Sequence, residues 1–126
     1  MIVDTDVMVW YMRGNQKARK ILESLGSFAI SVVSYIELVQ GIRNKNELRE
    51  LKAFIREEGI TISPITEAIS SRSLHFMEEF SLSHSLRLAD ALIAATVSDT
   101  GDRLLTANTK HYDMIPACPL VWFNPE

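Results

Sequence analysis

Short apolar runs alternate with longer segments of helical period along this 126-residue chain, and this alternation restricts its fold more than any other feature. Helices that connect successive strands are the usual crossovers of a parallel sheet. The pattern therefore predicts one α/β domain, residues 1–126, in which helices cover both faces of a mostly parallel sheet (an α/β/α sandwich). Such sheets place their sites at the carboxyl ends of strands.

The predicted elements follow from apolar spacing and from capping residues. Asn15 and Thr66 are predicted N-caps, and Gly26 and Gly101 are predicted to end helices. Strands are predicted at residues 1–4, 28–31, 60–63, 103–106 and 120–123. Helices are predicted at residues 7–12, 16–25, 34–42, 46–58, 66–80 and 86–99, with a polar break at residues 81–85.

Composition limits the class of protein. The hydrophobic fraction of 47% and the charged fraction of 23% are ordinary for a globular domain. No apolar stretch approaches the roughly 20 residues that cross a bilayer, and the N-terminal residues do not have the pattern of a signal peptide. Cys118 is the only cysteine, which excludes an internal disulfide and indicates a packing role. We therefore expect a cytoplasmic protein without membrane contact.

The net charge of −3 argues against binding nucleic acid by bulk electrostatics. Nine of the 13 basic residues nevertheless lie before residue 60. Most of these fit the solvated faces of amphipathic helices, and a basic rim around a metal site could also hold phosphates.

Four carboxylates lie beside or within apolar runs. Asp4 and Asp6 follow Met1-Ile2-Val3, Glu37 lies within residues 32–39, and Asp90 lies within residues 88–95. An unpaired ionised carboxylate in apolar surroundings costs several kcal/mol. A hard divalent cation held by oxygen ligands is the simplest common solution, so these residues predict a metal site.

The first two carboxylates also have a structural interpretation. Asp4 fits a turn as well as it fits a site, since Asp-Thr-Asp is good turn and capping chemistry. Asp6 is better explained as the cap of the following helix than as a ligand. Thr5, between them, could donate a hydrogen bond to a carboxylate or a phosphate.

The two later carboxylates leave similar alternatives. Ser34 and Glu37 match a capping box, which explains Glu37 as well as a functional role does. For Asp90 the alternative is a local pair with Arg87. A functional role is favoured there, because the surrounding helix is apolar.

Polar residues follow the fourth predicted strand: Thr106, Asn108, His111 and Asp113. Thr106 and Asn108 are ordinary turn residues, and a lone histidine is usually packed or at the surface. The three histidines lack the short paired spacing of zinc sites. There is no glycine-rich phosphate loop.

Taken together, four ordered segments resemble the PIN-domain family, and within it the VapC-type toxin ribonucleases. These segments are Ile2-Val3-Asp4-Thr5-Asp6-Val7, Ser34-Tyr35-Ile36-Glu37-Leu38-Val39-Gln40-Gly41, Leu88-Ala89-Asp90-Ala91-Leu92-Ile93-Ala94-Ala95-Thr96 and Leu104-Leu105-Thr106-Ala107-Asn108-Thr109-Lys110-His111-Tyr112. The resemblance implies a sandwiched parallel sheet and endonucleolytic cleavage of RNA with Mg²⁺ or Mn²⁺. It also implies a homodimer and a cognate antitoxin that blocks the acidic groove.

The resemblance assigns residues to roles. It makes Asp4, Glu37 and Asp90 catalytic residues and metal ligands, and it makes Asn108 a catalytic residue that holds a water. Thr5 and Thr106 would position water or substrate. The chain departs from the family where a fourth acid commonly stands in an Asp-Phe pair, because it has His111-Tyr112 there. Asp113 could then reach in instead.

Three other functions remain open at this level. Asp4-Thr5-Asp6-Val7 also looks like the nucleophile motif of haloacid-dehalogenase-like phosphatases, with Asp4 as nucleophile and Asp6 as acid/base. A response-regulator receiver shares the acidic pair after the first strand, but the third predicted strand ends without an aspartate. A PIN fold that binds RNA or a partner without cutting is the third alternative.

Overall fold

The computed structural model describes residues 1–126 and contains a five-stranded parallel sheet. Its strands are β1 (Ile2–Val3), β2 (Ala29–Ser31), β3 (Thr61–Ser63), β4 (Leu104–Thr106) and β5 (Leu120–Trp122). Their order is β3-β2-β1-β4-β5, and every neighbouring pair is parallel. The carboxyl end of β1 therefore lies between the ends of β2 and β4, and the predicted parallel α/β fold is confirmed.

Six α-helices connect the strands. They are α1 (Thr5–Met12), α2 (Gln16–Leu25), α3 (Val32–Gln40), α4 (Lys45–Glu57), α5 (Glu67–His84) and α6 (Leu88–Thr100). A short 3-10 helix, Thr109–His111, follows β4. No helix combines the length and the apolar character that crossing a bilayer requires.

The sheet separates two apolar cores. Successive side chains of a strand point to opposite faces, so Ile2 and Leu104 pack on one face while Val3 and Leu105 pack on the other. The first face is covered by α5 and α6, and the second by α1 to α4. Cys118 is buried in the first core, where burial raises the pKa of its thiol to about 12, in keeping with a packing role.

Several predicted helix ends are confirmed. The Asn15 side chain caps α2 by accepting a hydrogen bond from Ala18 N at 2.9 Å, and Thr66 caps α5. Gly101 ends α6 with φ of 65°, a backbone conformation that favours glycine.

Several predicted boundaries are wrong. α1 begins at Thr5 rather than at residue 7, because Asp4 caps it, and α6 begins at Leu88 rather than at residue 86. The third helix does not begin at Ser34, because Ser31 at the end of β2 caps it by accepting a hydrogen bond from Val33 N at 3.1 Å. The predicted polar break at residues 81–85 is also wrong. α5 continues to His84 and ends at Ser85, which has φ of 56°. Serines tolerate the exposed last turn of a helix, so polarity alone did not mark its end.

Candidate active site

Asp4 lies at the carboxyl end of β1 and is the N-cap of α1, where its Oδ1 accepts a hydrogen bond from Thr5 N at 2.8 Å. Its Oδ2 accepts a hydrogen bond from Thr106 Oγ1 at 2.8 Å, from the end of neighbouring β4. The residue is only 5% exposed. Both oxygens are therefore oriented by donors from two adjacent strand ends, which is where the topology predicts a site.

The charge of Asp4 is poorly compensated. Burial is the main cause that raises the pKa of its carboxyl from 3.8 to about 7, and the charge of nearby Asp6 raises it further. Hydrogen bonds from Thr106 and Thr5 oppose the shift only in part. A buried carboxylate of this kind gains stability from a cation placed beside it.

Asp6 is not the cap of α1, and that prediction is wrong because Asp4 holds the capping position. Asp6 instead reaches across to the segment after β4, where its Oδ2 accepts hydrogen bonds from Ala107 N at 3.0 Å and Asn108 Nδ2 at 2.9 Å. Its Oδ1 is buried without a hydrogen-bond partner. Burial raises the pKa of the Asp6 carboxyl. No local pattern of residues predicts this contact, which joins positions about a hundred residues apart.

Glu37 is linked to the Asp4 segment through a hydroxyl relay. Thr5 Oγ1 donates a hydrogen bond to Glu37 Oε1 at 2.8 Å and is hydrogen-bonded to Ser34 Oγ at 2.8 Å. Thr5 has one hydroxyl proton, and this proton points to the Glu37 carboxylate. Ser34 is therefore the donor in the second hydrogen bond. The capping-box interpretation of Ser34 and Glu37 is wrong, since both lie inside α3 on the face toward α1.

Asp90 lies in the first turn of α6 and is held by the segment after β4. Tyr112 Oη donates a hydrogen bond to its Oδ1 at 3.2 Å, and His111 Nδ1 lies 3.3 Å from its Oδ2. Arg87 forms no ion pair with Asp90 and is the N-cap residue of α6 instead. The alternative of a local pair with Arg87 is therefore wrong.

Tyr112 is the residue that sequence reasoning missed. It is 1% exposed, and its hydroxyl faces Asp4 as well as Asp90, lowering the pKa of Asp4. Burial and the two carboxylates in turn raise the pKa of the Tyr112 hydroxyl far above its ordinary value, which keeps it a donor. The available signal was a tyrosine where the family pattern has phenylalanine.

Of the remaining candidates, Thr106 is the most deeply placed. It is fully buried, donates to Asp4 and accepts a hydrogen bond from Asn108 N at 3.0 Å. Asn108 is exposed and contacts Asp6 rather than Asp4. Asp113 is exposed and makes no side-chain hydrogen bond to this cluster.

The donor set suits a hard cation that keeps its own water. No three acidic, histidine or cysteine side chains form a complete metal-ligand group. Asp4 and Asp90 instead face one hydroxyl, that of Tyr112, and Glu37 joins the cluster through Thr5. Mg²⁺ commonly binds through one or two carboxylates and retains several waters, so this arrangement fits Mg²⁺ better than it fits a closed protein cage.

A groove of about 740 Å³ adjoins the carboxylate cluster. It is bounded by α1, α3 and α4, and Glu37 is one of its lining residues. Its other walls are mostly apolar, with Tyr11, Leu38, Leu51 and Phe54 among them. Its charged lining residues include Arg13, Arg43, Glu47 and Glu50, and Arg43 is paired with Glu47 at 3.0 Å. The groove therefore offers an extended binding surface that reaches the cluster.

Comparison with known proteins places this geometry in a family. The family model described as PIN domain matches residues 1–115. The protein named Ribonuclease VapC10 from Mycobacterium tuberculosis is 38% identical over 120 residues, covering 90% of this chain and 86% of that protein. A toxin-antitoxin complex from Klebsiella pneumoniae has a chain that matches with a TM-score of 0.77 at 28% identity, covering 99% of this chain and 97% of that chain. VapBC2 from Rickettsia felis, bound to a DNA fragment from its promoter, matches with a TM-score of 0.82 at 21% identity, covering 98% of each. The chain belongs to the PIN-domain family, among its VapC-type members.

Proposed function

We propose that this protein is a metal-dependent endoribonuclease that hydrolyses RNA phosphodiester bonds as the toxin of a type II toxin-antitoxin pair. The observation that carries the proposal is buried Asp4 at the strand end, where Thr5 and Thr106 donate hydrogen bonds to it and where burial raises its pKa to about 7. Perturbed acids in a cluster at strand ends are typical of functional sites. The relatives named ribonuclease supply the reaction class.

In this proposal Asp4 and Asp90 would hold one Mg²⁺ or Mn²⁺ ion. Glu37 is exposed and accepts a hydrogen bond from Thr5, the residue after Asp4, so it would serve as the base that takes the proton of the attacking water. When bound, the cation lowers the pKa of a water and screens the charge that develops on the scissile phosphate.

The side chains of Thr106, Thr5 and Asn108 donate hydrogen bonds to carboxylates of the site. Thr106 is buried and donates a hydrogen bond to Asp4. We therefore propose that it orients Asp4 and does not contact the substrate. Thr5 orients Glu37 in the same way. Asn108 keeps its side-chain oxygen free while its nitrogen donates to Asp6, which leaves that oxygen available to a water or an RNA hydroxyl.

We further propose that a cognate antitoxin binds the groove bounded by α1, α3 and α4. The groove is mostly apolar and includes Glu37, so a segment lying in it would also cover the proposed site. The Klebsiella pneumoniae neighbour is a chain of a toxin-antitoxin complex, which supports a protein partner. We also propose that the protein forms a homodimer and that its substrate is RNA. Sedimentation at micromolar concentration measures the oligomeric state.

The phosphatase alternative has less support. It needs Asp6 as an acid/base beside Asp4, yet the one hydrogen-bonded oxygen of Asp6 accepts from Ala107 and Asn108 and the other is buried. Membership of the PIN-domain family supports the nuclease instead. A PIN fold that binds without cutting is distinguished only by a cleavage assay.

Removal of divalent cations should abolish RNA cleavage. Purified protein incubated with total RNA is expected to produce fragments with Mg²⁺ or Mn²⁺, none with excess EDTA, and fragments again after cation is restored. The physical reason is that the clustered carboxylates repel the RNA phosphates until a cation neutralises them. Fragments that persist in EDTA would refute the metal-dependent mechanism. A wild-type protein that is inactive with every cation would favour a PIN fold that binds without cutting.

Thr5→Val should slow cleavage about 10-fold, because it removes the hydroxyl that orients Glu37 while keeping the branched shape. Thr5→Ser keeps the hydroxyl and should retain most of the activity. Single-turnover rates on a fluorescent RNA measure the effect. Thr5→Val also removes the hydrogen-bond partner of buried Ser34, and melting temperatures show whether the resulting loss of stability accounts for the slower cleavage. Equal rates for the valine and serine variants would remove Thr5 from the mechanism.

A further inference from the structure

We propose that His111 and Tyr112 act as a pair of positioning residues that fix the carboxylate of Asp90 toward Asp4, and that cation affinity depends on both. The inference deepens the proposed function and rests on it. It assigns a task to the His111-Tyr112 pair, which stands where the family pattern commonly has an acid followed by phenylalanine.

Each oxygen of Asp90 has a polar group of this pair beside it. Tyr112 Oη donates to Oδ1 at 3.2 Å, and His111 Nδ1 lies 3.3 Å from Oδ2. A carboxylate with one oxygen hydrogen-bonded and the other beside an imidazole nitrogen is restricted in its rotation about the Cβ–Cγ bond. Asp90 is therefore held in one plane by its neighbours after β4.

The helix that carries Asp90 supplies no comparable support. Arg87, the N-cap of α6, makes no side-chain capping hydrogen bond and no ion pair with Asp90. The Asp90 side chain is 18% exposed, so water would otherwise compete for its oxygens. The orientation of Asp90 is thus set by the two side chains from the far segment.

Tyr112 also connects Asp90 to Asp4. Its side chain is 1% exposed, and its hydroxyl donates to Asp90 and lies close enough to Asp4 to affect the pKa of that carboxyl. Because Tyr112 packs beside acids from two different elements of the fold, it restricts how far apart their oxygens stand. Because a hard cation requires its carboxylate ligands at a narrow range of distances, this spacing bears directly on affinity.

His111 can act as a donor to Asp90 through its Nδ1. An ionised carboxylate accepts hydrogen bonds, so the nitrogen that faces Asp90 must carry a proton, and the neutral ring with Nδ1–H supplies it. Residues that support a metal ligand in this way typically contribute 10- to 100-fold to metal affinity. We therefore expect cation binding, rather than folding, to respond to the loss of either donor.

The test is Mg²⁺ and Mn²⁺ titration of purified variants, followed by thermal shift and by calorimetry in the absence of RNA. Tyr112→Phe deletes only the hydroxyl, and His111→Ala deletes the exposed donor without disturbing the core. His111→Asn keeps an N–H near the position of Nδ1. Tyr35→Phe is the matched control, since the Tyr35 side chain makes none of the hydrogen bonds of the site.

Tyr112→Phe and His111→Ala should each raise the half-saturating cation concentration about 10-fold or more, whereas His111→Asn and Tyr35→Phe should stay close to the wild type. Unchanged or tighter binding in either donor-deleting variant, with a wild type that binds, overturns this inference and leaves the nuclease proposal standing. A wild type that neither binds a divalent cation nor cuts RNA overturns both.

Discussion

Asp4→Asn should lower RNA cleavage by at least about 100-fold while the protein stays folded. Loss of a group that merely supports a metal ligand typically costs 10- to 100-fold, and Asp4 is proposed as a ligand itself. Asparagine keeps the shape and the acceptor oxygen that caps α1 through Thr5 N, so the local fold should survive. Cleavage rates under saturating Mg²⁺ and the far-ultraviolet circular dichroism spectrum measure the two effects.

The control for this variant is Glu78→Gln, which makes the same chemical change at an exposed position of α5. It should cut RNA at the wild-type rate. Asp90→Asn provides an independent test, because Asp90 comes from a different element and should give a loss of similar size. Near-normal cleavage by both asparagine variants would show that the acidic cluster is not where the reaction occurs.

The metal-free protein should lose stability as the pH rises from 5 to 8. The folded-state pKa of Asp4 is raised from 3.8 to about 7, so the folded protein holds a proton there that the unfolded chain has released. Stability from this group is therefore present at low pH and lost as the pH approaches the folded pKa. Between pH 5 and the folded pKa of about 7 lie about two pH units, and each unit lowers the free energy of unfolding by about 1.4 kcal/mol. The free energy of unfolding should therefore decrease by about 3 kcal/mol.

Urea unfolding at several pH values in EDTA measures this decrease, and Asp4→Asn should remove most of it. Asp6, whose pKa burial also raises, adds a contribution of the same sign that the variant leaves in place. Saturating Mg²⁺ should restore stability most strongly near pH 8, since a cation replaces the missing proton. A wild type and an Asp4→Asn variant with the same pH profile would contradict the assigned burial of this charge.

Much of the scaffold could be predicted from local signals. The caps Asn15 and Thr66 were readable because a capping side chain contacts a backbone amide only three residues away. The order of elements followed from apolar runs and helical spacing in the same way. Asp4 could be placed at a strand end because it directly follows the buried residues Ile2 and Val3.

Local signals misled where two local interpretations competed. Ser31 and Ser34 both precede an apolar helix, and only the pairing of β2 with its neighbours shows that the strand ends at Ser31. That shift of three residues places Ser34 inside α3, where it meets Thr5. The capping-box pattern was therefore present in the sequence without being used in the fold.

The sequence by itself determined the parallel α/β architecture, the strand-end position of Asp4 and the family, since each depends on spacing over a few residues or on ordered motifs. Only the tertiary structure decided how the carboxylates are connected: Thr5 to Glu37, Thr106 to Asp4, Asn108 to Asp6, and Tyr112 with His111 to Asp90. These contacts join residues 21 to 102 positions apart. Their partners are chosen by the order of strands in the sheet, which brings β1 and β4 side by side, and no local pattern of residue types carries that information.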